Sequence, residues 1–123
     1  MNINELRGQI LVACSRGEPH ADLQAAYQEL RDFHQSRLNA LRPIVRDSMV
    51  NVLRDGIPEE AKALFRTEIA ANPLGWSVYF HFSAGMEIRN VLRQAGYGEK
   101  ETGIDNLDNL WVPLVEEAVK EQP

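Results

Sequence analysis

Cysteine and histidine are scarce in this 123-residue chain, and each scarcity excludes something. A lone Cys14 cannot close an internal disulfide. It falls on the apolar side of the first expected helix, where a small buried hydrophobe is the expectation and a nucleophile is not. The three histidines, His20, His34 and His81, stand far apart. None has a second histidine or a carboxylate three or four residues on, the spacing that sets two ligands on one helical face. Neither a metal nor a cofactor is therefore expected. His34 and His81 read as histidines at the edge of a core, each with one hydrogen bond, and His20 reads as solvated. No apolar run approaches the ~20 residues of a membrane span. The start, Met1-Asn2-Ile3-Asn4-Glu5, lacks the basic residues and apolar core of a secretion signal, so a cytoplasmic location is expected. Nothing alternates with period two for long and no hairpin signal appears, which argues against sheet.

What is present is ordinary globular material, 44% apolar and 25% charged, enough for one domain with a real core. The net charge of -5 is concentrated. From Glu99 onward Glu99, Glu101, Asp105, Asp108, Glu116, Glu117 and Glu121 face only Lys100 and Lys120, while the rest of the chain balances. Arg31, Arg37, Arg42 and Arg46 outnumber Asp32 in the middle of the first half. Arginine suits planar, two-bond pairing with carboxylates. The simplest expectation is internal: the acidic tail folds against the arginine-bearing helix. An acidic protein without a basic stripe is a poor candidate for nucleic acid.

Helical spacing organises the whole chain. Asn2 or Asn4 caps a first helix carrying Ile3, Leu6, Ile10, Ala13 and Cys14, stopped by Gly17 and Pro19. A second begins near Pro19 to Asp22 and carries Leu23, Ala26, Tyr27, Leu30, Phe33, His34, Leu38 and Leu41. Pro43 forces a kink or break. A third helix then carries Val45, Met49, Val52 and Leu53 as far as Asp55. Pro58, Glu59 and Glu60 open a fourth, expected to bury Ala61, Leu64, Phe65 and Ile69 and to end at Asn72-Pro73. Trp76–Ala95 is expected to be the central helix, closed by Gly96. Residues 96–105, rich in glycine, are expected to be a loop. A tight turn through Trp111 leads to a last helix from about Val112 to Glu121, packing through Trp111, Leu114, Val115, Ala118 and Val119. The expected architecture is all-α: a single compact bundle of about five to six helices over residues 1–123.

Chemistry-bearing spacing is thin. The glycine-rich loop holds Lys100 but follows a helix, and no serine or threonine is placed after a lysine as phosphate cradles require. Ser83 precedes Gly85 without the strand and second glycine of a nucleophile elbow. On the central helix, Phe82 and Met86 alternate with Arg89 and Arg93 in one strip. Aromatic, methionine and arginine residues are what interface centres favour, and arginine stems covering a core edge are the bland alternative. Gly85 inside a helix costs about 1 kcal/mol relative to alanine, so close approach by a neighbouring backbone, or by a ligand, is expected there. Arg89 and Asn90 are placed to reach the last segment, with Asp108 the expected partner.

These residues also carry a resemblance. The run from His81 to Arg93, HFSAGMEIRNVLR, resembles the H-F-x-x-G-M-x-I-R-N-x-L-R signature of a group of short, uncharacterised bacterial and phage-borne proteins. There a loop and a segment like N-W-D-D-Y-Y-V-P-x-I-E-x-A-V follow. Here that segment reads NLDNLWVPLVEEAV from Asn106 to Val119, with the tryptophan displaced and Asn109 in place of the second acid. The likeness covers about residues 76–119. It implies no activity; it implies that His81, Gly85, Arg89, Asn90 and Asp108 form one unit.

The leading expectation is a non-catalytic cytoplasmic interaction or regulatory protein, encoded on a phage or mobile element. It would act through a protein partner or a second copy of itself at Phe82, Met86, Arg89 and Arg93. The first alternative is a small enzyme or ligand-binding protein with a pocket around His81, Arg89 and Asn90. The second is a nucleic-acid-associated protein using Arg37, Arg42 and Arg46.

Overall fold

The computed structural model describes residues 2–77, 83–103, 107 and 110–121, with the backbone alone at His20 and Ser83. Among these residues all regular structure is helical: α1 (Ile3–Ser15), α2 (Gln24–Asn39), α3 (Pro43–Gly56), α4 (Glu59–Ala71), α5 (Ser83–Gln94), α6 (Glu99–Thr102) and α7 (Trp111–Ala118). The all-α expectation holds. The helix count is higher than expected because the glycine-rich loop itself contains the single turn α6. No described helix is long and apolar enough to cross a membrane.

Local chemistry sets most boundaries. The Asn2 carboxamide accepts from the Glu5 backbone N–H at 2.9 Å and donates to the Glu5 carboxylate at 3.1 Å, a reciprocal cap on α1. Gly17 ends α1 with φ 76°, and Glu18 N–H reaches back to the Ala13 carbonyl at 3.1 Å. Gly96 ends α5 the same way, with φ 89° and Tyr97 N–H on the Leu92 carbonyl at 2.8 Å. Pro43 is a clean break and not a kink, since α2 stops at Asn39 and Pro43 opens α3 at its first turn.

Several boundaries and faces correct the sequence reading. The entry to α2 is a 3-10 turn over His20–Leu23. Trp76 and Ser77 lie in a further 3-10 turn and not on α5. On α4 the apolar stripe is narrower than expected: Phe65 is buried while Leu64 is 52% exposed. Lys62, unremarked in the sequence, is buried and paired with Glu59 at 3.0 Å. Its alkyl stem packs while its ammonium meets a carboxylate. The last helix starts at Trp111 itself and ends at Ala118. All five of its expected packing residues are buried.

The helix that the others surround is α7, not α5. It packs against α2, α3, α4 and α5, and Trp111, Val112, Leu114, Val115 and Ala118 are all buried. A helix apolar nearly all round belongs inside. Its Trp111 ring meets Trp76 edge to face at 5.8 Å, and Trp76 meets Phe65 likewise at 5.7 Å. This main core also takes Met49, Leu53, Ile88 and Leu92. A smaller cluster of Leu6, Ile10, Ala13, Leu23, Tyr27 and Leu30 joins α1 to α2. Cys14 is half-buried at its edge, its sulfur 3.4 Å from the Tyr27 hydroxyl.

Candidate functional site

The strip expected on the motif helix is only partly open. Met86 is 51% exposed, and Asn90 is exposed beside it. Arg89 is half-buried and engaged within the protein. Arg93 turns toward α6 and holds Glu99 by two bonds, Nη2 to Oε1 at 2.6 Å and Nε to Oε2 at 3.3 Å. Donation from that guanidinium pulls the Glu99 carboxyl down to about 2, against the upward push of partial burial. Gly85 is buried on the inward side of α5 with Ile88 and Leu92. His81, Phe82 and Asp108 lie outside the described residues, so the expected ties of Arg89 and Asn90 to Asp108 lie there too.

On the other flank of α5 an apolar groove of about 300 Å³ runs against α4 and the turn before it, lined by Ile57, Ala61, Leu64, Phe65, Ile88 and Val91. Gly56 shapes its end. A Cβ there would stand 3.0 Å from Val91 Cγ1, so the missing side chain lets α5 come close to the end of α3. The outer face of α5 thus has Met86 at one margin and an unfilled apolar channel at the other. The sequence periodicity missed this channel because it placed Leu64 inside.

A second cleft, of about 670 Å³, opens between α2, α3 and α7 and is polar. Arg31 and Gln35 come from α2; Arg46, Asp47, Asn51 and Arg54 from α3; Glu116 and Glu117 from α7, with Lys120 just beyond it. Arg31 grips Glu116 with both terminal nitrogens, at 2.8 and 2.5 Å. The same carboxylate accepts from the Trp76 indole N–H at 3.2 Å. The expected fold-back of the acidic tail onto an arginine-bearing helix is real in this pair. Of the other arginines in that group, Arg37 lies 5.1 Å over the Phe33 ring, and Arg46 approaches Asp47 only to 3.7 Å. Arg54 and Lys120, not singled out in the sequence, complete the cationic lining. Arginines at residues 46 and 54 are two turns apart on α3, a helical-face signal that could have been read.

His34 is buried, and Arg7 Nη2 lies 3.3 Å from its Nε2. A guanidinium has nothing to accept with, so this contact requires an unprotonated Nε2. His34 is thus a core histidine, as its spacing suggested. Among the described residues no cluster of histidine, cysteine and carboxylates is assembled to hold a metal ion. No protein-family model matches the chain, and neither curated proteins nor solved structures yield a match.

Proposed function

We propose that the protein is a non-catalytic interaction or regulatory protein whose partner docks along the outer face of α5. The observation that supports this is the pairing of an exposed methionine with an open apolar channel on the two margins of one helix. Met86 stands at one side, and Leu64 overhangs the groove at the other. Exposed apolar groups gathered on one surface mark docking sites, and a shallow apolar groove beside a helix suits an amphipathic helix laid into it. The resemblance of residues 81–93 to short phage-borne and bacterial proteins places the same helix at the centre of the reading.

The test is recovery from the native host with tagged wild-type protein and two tagged variants, Leu64→Asp and Met86→Asp. One protein should be recovered in stoichiometric amount with the wild type, and at least one variant should lose it while keeping the wild-type circular dichroism and melting temperature. Equal recovery by all three baits, or none by any together with a monomeric wild type in sedimentation, overturns the proposal.

A further inference from the structure

We infer that the polar cleft between α2, α3 and α7 binds a small ligand through an oxyanion, phosphoryl or carboxylate, seated on Arg54 and flanked by Arg46 and Lys120. This inference stands apart from the docking face on α5, which uses none of these residues.

The argument is one of unequal pairing. Three of the four cations lining the cleft have a carboxylate: Arg31 has Glu116, Lys120 has Glu117 at 2.9 Å, and Arg46 has Asp47 at the longer 3.7 Å. Arg54 has none among the described residues. Its Nη1 donates to the neutral Asn51 carboxamide at 3.1 Å, and its Nη2 reaches the Glu117 main-chain carbonyl at 3.5 Å, the outer limit of a hydrogen bond. Its Nε is buried and has no partner. A guanidinium carries five donors in a planar fork that matches an oxyanion bidentately. Here that fork is held by two neutral acceptors, one of them marginal. A small rotation toward the cleft would give Nε and Nη2 a charged pair of oxygens in place of the marginal carbonyl.

The surroundings fit that occupant. Arg46 and Arg54 project from one face of α3, about 12 Å apart along the axis. Lys120 approaches from the end of α7, where the helix dipole favours cations. Arg66 already holds the Val119 carbonyl at 2.5 Å, so the end of α7 keeps a cap when Arg54 turns away. The volume lies in the range of small-molecule sites, and the few apolar walls, Leu38, Val50 and Pro113, leave room for a polar body larger than a bare ion. Asp47, Glu116 and Glu117 would repel a second unscreened anionic group near the rim. This favours one oxyanion headed into the cleft over a uniformly acidic polymer laid across it.

The test is an NMR titration of the full chain with pyrophosphate and, separately, with glutarate, following backbone amides and the Arg54 Nε–H signal. Saturable shifts confined to α3, the end of α7 and Arg54 Nε–H are expected for at least one probe, and the stronger of the two tells phosphoryl from carboxylate. Arg54→Gln should weaken binding at least about tenfold, the loss expected for a charge-assisted hydrogen bond, and Arg46→Gln should weaken it less. Arg42→Gln, outside the cleft, should leave it unchanged. If Arg54→Gln does not fold, the Arg54 Nε–H signal of the wild type and the Arg46→Gln affinity decide. No saturable shift with either probe, shifts scattered over all surface cations, or full affinity in the Arg54 and Arg46 variants would overturn the proposal. Response only to a long polyanion such as polyglutamate would do so as well.

Discussion

Arg31 and Glu116 are 85 positions apart in the chain, yet they meet in a two-bond guanidinium–carboxylate pair, with Trp76 Nε1 donating to the same carboxylate. The glutamate side chain is only 16% exposed, the arginine 38%. One carboxylate therefore joins α2, the turn after α4, and α7. Glu116→Gln keeps an acceptor for the indole but removes the charge, leaving Arg31 half-covered and unneutralised. We expect a loss of about 1–3 kcal/mol. A double-mutant cycle with Arg31→Met in urea should return a coupling of about 1 kcal/mol or more. A coupling near zero would mean that the pair is no more than a surface contact.

Gly75 sits where the two apolar clusters abut. A Cβ built there would lie 2.5 Å from Tyr27 Cε2 and 2.6 Å from Asn72 Nδ2. The Tyr27 ring is 1% exposed and has Cys14 beside its hydroxyl, so it has little room to retreat. Gly75→Ala should cost about 1–3 kcal/mol by overpacking, and Gly75→Ala with Tyr27→Leu should recover part of that loss. Chemical denaturation of the three proteins is sufficient to check it.

Leu64 and Leu114 separate periodicity from packing. Leu114 is fully buried and Leu64 is 52% exposed. Leu114→Ala should lose about 2–5 kcal/mol. Leu64→Ala should stay within about 0.5 kcal/mol, as surface substitutions do. Comparable losses at the two positions would show that the Leu64 side chain is buried in solution.

The Arg93–Glu99 pair gives stability a pH dependence of known sign. The Glu99 carboxyl titrates at about 2 in the folded protein against an ordinary 4.5. A depressed folded-state value contributes stability above about 4.5, and that contribution is lost as the pH falls toward 2. Both side chains are partly exposed, 43% and 31%, so the gain is that of a surface pair, about 0.2–1 kcal/mol. Wild type should therefore exceed Glu99→Gln in urea midpoint near neutral pH, with the gap narrowing in acid. A gap that widens in acid would reverse the assignment.

Much of this was legible in the chain. Asn2, Gly17, Pro43, Pro58, Asn72 and Gly96 mark boundaries because capping and proline geometry are local matters, settled within a few residues. The inward residues of α1, α2 and α7 followed from their spacing for the same reason. The stripe on α4 did not, because spacing shows which residues share a face and not how wide a neighbour covers it; Phe65 meets Trp76 in the main core, while Leu64 is left at the rim of the groove. The cleft was half legible. The arginine excess pointed to Arg31 and Arg46, and the spacing of Arg54 from Arg46 put it on the same side of α3, but spacing could not show that Arg54 lacks, among the described residues, the carboxylate the other cations have.

By itself the sequence determined that the chain is helical and where most helices stop, together with the attraction of an acidic tail for arginine. Those properties depend on dihedral preference, capping and net charge, which act over short distances or over the whole molecule. Only the tertiary structure decided that the eight residues of α7, and not the longer motif helix, would be enclosed by the others, and that Glu116 would select Arg31 from among the arginines. Both outcomes turn on how four helices pack around a fifth, and that packing is a property of contacts between distant segments.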